Sequence, residues 1–198
     1  PARYQTRFKS RWHRQGTPAA MMRAGHWRRR LIPAVNDPVL ASWLTEPGSL
    51  TARCQKAASR FQVELLRSGW LLPLGDEASK RCRRRVREVV LRCDGVPVIF
   101  AHSVLLTAAN GRLNRWLGGL GSRSLGSLLF AYPGFARGPL AFCRLDARHP
   151  LYRTARAWSN GEPTLWARRS EHRLGAQVLR VTEVFLPGIL ALERDGVP

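Results

Sequence analysis

Two β-rich runs that meet at Asp94-Gly95 constrain this chain more than any other feature. Val86 to Leu91 and Val96 to Leu106 are dominated by Val, Ile, Leu and Phe, and only two turn-forming residues separate them. Asp-Gly accepts the left-handed backbone of a two-residue hairpin, so the runs pair antiparallel. The pattern recurs near the C-terminus, where Trp166 to Leu174 and Val178 to Leu186 bracket Gly175-Ala176. Upstream, Phe61, Val63 and Leu65 alternate with Gln62 and Glu64, the period of a half-buried strand, and Trp70 to Leu74 reads as the start of another. A further strand is expected within Phe135 to Leu145.

Short helices fill the spaces between. Asn36-Asp37-Pro38 supplies a capping side chain and a first-turn proline, and Val39, Leu40, Trp43 and Leu44 follow on one face until Glu46-Pro47-Gly48 breaks it. Ser49 or Thr51 caps a second short helix through Ala58. From Thr107 to Leu117 the spacing is helical again, with Leu113, Trp116 and Leu117 on one side. Glycine-rich Gly118-Gly119-Leu120-Gly121 and an apolar run from Leu125 to Phe130 come next. Hairpin-linked strands with helices before and between them predict an α+β fold: a single antiparallel sheet flanked by short helices. No βαβ alternation is present, which argues against a doubly wound nucleotide-binding fold.

Charge divides the chain unevenly. The net charge is +20 over 198 residues, and residues 1–36 contain nine Lys or Arg and no acid. We read 1–36 as a basic, disordered extension and 37–198 as the folded domain. A balance this basic attracts nucleic acid, lipid phosphates or a multiply charged metabolite without choosing among them. No run of 18 apolar residues occurs, so no membrane span is expected. Cys54, Cys82, Cys93 and Cys143 and the five histidines are too scattered for a zinc site, so no metal is expected. Reduced cysteines in a cytoplasmic protein are the plain reading, with a Cys82–Cys93 bridge left open.

Strand parity singles out two residues. In the last strand Leu179, Val181, Glu183 and Phe185 share a face, placing a carboxyl in an apolar row. If that row faces the core, burial disfavours the charged form and raises the pKa above about 4.3. The alternative is an internal salt bridge to one of the many arginines. Arg87 likewise shares parity with Val89 and Leu91, and an inward guanidinium can grip a planar carboxylate with two parallel hydrogen bonds. Its alternative is ordinary surface charge. The stretch Gly118 to Gly126 fails G-x-G-x-x-G, because Ser124 stands at the third glycine, so it reads as a loop or as a lid over an anion.

The ordered motifs resemble the chorismate lyase family. They are Trp43-Leu44-Thr45 with Gly48-Ser49-Leu50-Thr51, Arg87-Glu88-Val89-Val90-Leu91 leading to Asp94-Gly95-Val96-Pro97, Leu125-Gly126-Ser127-Leu128-Leu129-Phe130, Trp166-Ala167-Arg168-Arg169-Ser170, and Thr182-Glu183-Val184-Phe185-Leu186-Pro187. They run in family order from about residue 37 to 190. The resemblance implies a ligand cavity enclosed under flaps, and cleavage of chorismate to 4-hydroxybenzoate and pyruvate, the first committed step of ubiquinone biosynthesis, with no cofactor. It also implies that Arg87 binds the ring carboxylate, that Glu183 meets the 4-hydroxyl side, and that backbone at Leu50 and Leu125 contacts the carboxylate. One segment departs from the family pattern. Ala101-His102-Ser103-Val104-Leu105-Leu106 stands where the family often has G-R-T-V-x-P.

Two other readings compete. A nucleic-acid-binding module follows from the charge and the aromatic, basic leader, yet no zinc finger, RNP signature or KH loop is present, and no specific nucleic acid is expected. A non-catalytic binder of aromatic acids on the same fold would keep Arg87 and release no pyruvate. We expect a monomer whose partner is a small molecule.

Overall fold

The turn at Asp94-Gly95 forms as its residues require. Asp94 and Gly95 both have positive φ, 49° and 80°, and they join β2 (Arg84–Cys93) to β3 (Val96–Leu105). Gly175, with φ 56°, opens the turn between β6 (Leu165–Leu174) and β7 (Gln177–Phe185). In this computed structural model, residues 26–31, 35–74, 77, 82–107, 111–132 and 134–192 are described. The sheet is antiparallel and seven-stranded, and it stays open. Its order is β1 (Phe61–Leu71), β2, β3, β7, β6 and β4 (Ala136–Arg137), with β5 (Ala141–Leu145) also paired to β6.

Among the described residues, five short helices cover it. Asp37 caps α1 (Pro38–Thr45), accepting from the Val39 and Leu40 amides, and Ser49 caps α2 (Leu50–Ala57), accepting from Ala52. The glycine-rich region belongs to α3 (Arg112–Gly119) and the loop after it. The apolar run is α4 (Leu125–Ala131), capped by Ser124. The fifth, α5 (Pro150–Ala155), lies on the opposite face, where Leu151, Tyr152 and Ala155 pack with Val90, Phe100 and Val184.

The other face carries two separate apolar clusters. One joins Trp43, Leu44 and Leu50 to Val89, Leu91, Ile99 and Phe185. The second joins Leu113, Leu117, Leu125 and Leu129 to Leu105, Leu179 and Val181. The space between them is the cavity described below.

Three expectations change. Trp70 does not begin a new strand, because β1 continues to Leu71. A bulge between Leu65 and Arg67 shifts the register by one residue and hides the continuity from a simple period-two reading. Cys82 is exposed and Cys93 buried, and all four cysteines are free; the thiol neighbouring Cys93 is Cys54. The leader is also attached to the body before residue 37. Arg28 pairs with Phe142 through two backbone hydrogen bonds of 2.9 and 2.7 Å, and Arg169 lies 4.1 Å over the Trp27 ring. Residues 1–25 and 32–34 of the leader, and 108–110 of the segment read as helical from Thr107, lie outside the described residues.

Candidate active site

Register brings the expected residues together. Arg87 lies opposite Ser103, which lies opposite Val181; Ala101 lies opposite Glu183, which lies opposite Arg168. Arg87 and Glu183 therefore share one face of the sheet, two strands apart and two residues offset. Strand spacing and rise place their backbones roughly 12 Å apart. One cavity touches both, and also Leu50 and Leu125.

The two side chains have different surroundings. Arg87 is 2% exposed, and burial pulls its guanidinium down to about 10. Its Nη2 donates to the carbonyls of Gly121 (2.9 Å) and Arg123 (2.7 Å) in the loop between α3 and α4. Surface charge is thereby excluded for it. Glu183 is half-buried and accepts from Arg168 Nε at 2.7 Å. Glu183 thus makes the internal salt bridge that was its alternative, and it also lines the cavity.

Sequence reasoning assigned no role to Arg168 or Arg137, and both line the cavity. Arg168 is almost fully buried, and its Nη1 donates to the Leu44 (3.3 Å) and Glu46 (2.6 Å) carbonyls at the end of α1. Arg137 donates through Nε to Ser170 Oγ (3.2 Å) and through Nη1 to the Pro47 carbonyl. Burial, then the Arg168 charge, holds its guanidinium below the ordinary arginine range. His172, within 3.2 Å of Ser170 Oγ, is lowered to about 4 by burial and by Arg137 and Arg168, which keeps it neutral at physiological pH. The chamber thus holds three guanidinia against one carboxylate, an excess suited to a dianion. It is more polar than the apolar rows suggested.

Above this floor, two helix starts meet. Ser124 Oγ donates to Thr51 Oγ1 at 2.8 Å, tying the cap of α4 to the first turn of α2. Gly126 permits the contact, since a Cβ there would sit 2.8 Å from both Ser49 Oγ and Thr51 Oγ1. Leu50 and Leu125 are the first residues of these helices, where backbone amides lack intrahelical acceptors.

A single open sheet roofed by two joined helix starts, with clustered inward arginines on one face, defines an α+β protein built around a cationic chamber. The chain belongs to the chorismate lyase family, whose model matches residues 21–194. A probable chorismate pyruvate-lyase of Dechloromonas aromatica is 61% identical over 176 residues, covering 87% of this chain and all of that protein. A probable chorismate pyruvate-lyase of Ralstonia nicotianae is 41% identical over 178 residues, covering 84% of this chain and 91% of that one. Among solved structures, the C-terminal domain of the histidine utilization repressor from Pseudomonas syringae pv. tomato aligns with TM-score 0.47 and 13% identity, over 64% of this chain and 92% of that one. That likeness is too slight to carry an argument.

Proposed function

We propose that this chain is a chorismate–pyruvate lyase acting in the cytoplasm as a monomer, at the entry to ubiquinone biosynthesis. Arg87 anchors the ring carboxylate of chorismate, helped by the first-turn amides at Leu50 and Leu125. Arg137 faces the enolpyruvyl carboxylate. Glu183, oriented by Arg168, meets the 4-hydroxyl side of the ring and manages the proton traffic there. In the elimination the C3–O bond breaks, C4 loses its proton, and the ring becomes aromatic. The released enolpyruvate takes up a proton and becomes pyruvate. Aromatisation supplies the driving force, so the protein's part is orientation and charge matching.

One observation carries this reading: Arg87 and Glu183 share a cavity face at a separation suited to a single ring, in a chamber with surplus positive charge. The test is incubation of the purified chain with chorismate, following 4-hydroxybenzoate and pyruvate together. Both products are expected in equal amounts, with kcat reduced about a hundredfold or more in Glu183→Gln. A folded sample that binds 4-hydroxybenzoate and releases no pyruvate would leave a non-catalytic binder instead. An unchanged rate in Glu183→Gln would remove that residue's role.

A further inference from the structure

Large apolar side chains stand out along the free edge of β1. Leu65 (39% exposed), Trp70 (40%) and Leu72 (63%) are among the most exposed large hydrophobics of the described residues. β1 ends the sheet, and none of the described strands pairs with its outer side. After the bulge at Leu66, Trp70 lies opposite Arg85 and therefore shares the cavity-side face with Arg87. The Arg85 guanidinium stands 5.5 Å from the Trp70 ring and reaches Gly118 of α3, where a Cβ would meet Arg85 Nη2 at 2.3 Å. Exposed Arg83 donates to the Trp70 carbonyl at 3.3 Å.

The same side continues into an open groove on the outside of the cavity roof, where Phe61, Val63, Leu120, Leu128 and Tyr132 lie beside Arg123 and no carboxylate. The sequence behind it is one-signed. Residues 82–87 hold four Arg and no acid, and residues 111–132, which carry α3, α4 and the loop between them, hold three Arg and no acid.

We propose that this edge is a peripheral docking surface for a bilayer containing anionic lipid. Trp70 and Leu72 enter the interface, while Arg83, Arg85 and the arginines near α3 meet the phosphates. Charge complementarity chooses the anionic surface. Leu72, the most exposed of these side chains, chooses a bilayer over a nucleic acid, because an aliphatic side chain gains from hydrocarbon and has nothing to stack on a base. Among the described residues no helix is long and apolar enough to cross a membrane, and docking through a few edge side chains and arginines is a reversible mode of attachment. It would hold the roof formed by α3 and α4 against the lipid surface. The proposal does not depend on the reaction assigned above.

The test uses the full chain and flotation with vesicles of phosphatidylcholine alone or with 30% phosphatidylglycerol, in about 0.15 M salt. Binding is expected only to the anionic vesicles. The double variant Trp70→Ser/Leu72→Ser should weaken it about tenfold, and Arg83→Glu should weaken it severalfold. Arg156→Glu, the same charge change on an exposed residue beyond α5, should have less effect than Arg83→Glu. Thermal melting of every variant checks that it is folded. Equal losses in Arg83→Glu and Arg156→Glu, or unchanged binding in the double variant, would reduce the effect to diffuse charge and overturn the proposal. Failure to float, with salt-sensitive binding of a single-stranded oligonucleotide that Trp70→Ser weakens, would overturn it in favour of nucleic acid.

Discussion

On the reverse face of the sheet, His102 lies between two carboxylates, with Nδ1 2.9 Å from Glu88 and Nε2 3.1 Å from Glu77, and Arg67 reaches Glu88 at 2.8 Å. On the cavity face, Arg87, Arg137 and Arg168 bind mainly backbone carbonyls of the segments that cover them. Both faces bury several ionisable groups, so burial of charge does not distinguish a site from a structural network. The partners do. The reverse-face charges are closed on other side chains. The cavity-face arginines hold loop and helix-end carbonyls next to open space, where a carboxylate can compete for them.

The largest expected effects come from breaking one network at a time. Arg87→Met should lower kcat/KM for chorismate by a hundredfold to a thousandfold, about 3–4 kcal/mol. It should disturb the melting temperature little, because Gly121 and Arg123 are exposed and water can take over their carbonyls. His102→Leu should do the reverse. It removes the imidazolium from buried Glu77 and leaves buried Glu88 with Arg67 alone, costs about 3–5 kcal/mol and lowers the melting temperature by roughly 10 °C, while kcat/KM in the folded fraction stays within about threefold. Steady-state kinetics and thermal unfolding of both variants check the pair. A large kinetic loss in His102→Leu at a temperature where it is folded would erase the distinction between the faces.

Protonation sharpens the same comparison. Burial opposes the charge on His102, but the hydrogen bonds and charges of Glu77 and Glu88 outweigh it and raise its pKa to about 9. The native state thus holds a proton that the unfolded chain releases above about 6.5. The stability this gives is complete below pH 6.5 and is lost as pH rises through 9, on the order of 3 kcal/mol. His172 works oppositely. Its native pKa of about 4 means the unfolded chain takes up the proton first, so stability falls as pH drops from about 6.5 towards 4. Denaturant unfolding across pH 4–10 is expected to show both limbs. His172→Gln should flatten the acid limb alone and His102→Gln the alkaline limb alone.

How much of this was legible depended on whether the chain kept count. The turn at Gly175-Ala176 has a regular register, and residues equidistant from it pair, which puts Arg168 opposite Glu183. That ion pair could have been read by counting back from the turn. Counting fails at Asp94-Gly95, because a register shift between Leu91 and Arg92 moves Ser103 opposite Arg87 and brings His102 opposite Glu88. The side-by-side placement of Glu88 and His102 was therefore hidden. Parity still identified the inward faces of Arg87 and Glu183, since alternation survives a shift that occurs nearer the turn. Arg137 had no such signal: β4 is two residues long and shows no period. Glu77 pairs across 25 positions from outside any strand, which local pattern cannot anticipate.

The smallest expected effect tests the roof over the cavity-face arginines. Gly126 needs no unusual backbone angle, so the case for it rests on space alone. A methyl at this position would lie 2.8 Å from the Ser49 and Thr51 hydroxyl oxygens, closer than carbon and oxygen tolerate. Relief requires the Ser49 and Thr51 hydroxyls to leave the cap and the Ser124 hydrogen bond they make, or α4 to move away from α2. Gly126→Ala should then cost about 1–3 kcal/mol by overcrowding, less than His102→Leu. Because the displaced atoms are the first turns at Leu50 and Leu125, KM for chorismate should rise about tenfold with kcat less affected. Stability loss with unchanged KM would mean that these helix starts only close the chamber and do not touch the substrate.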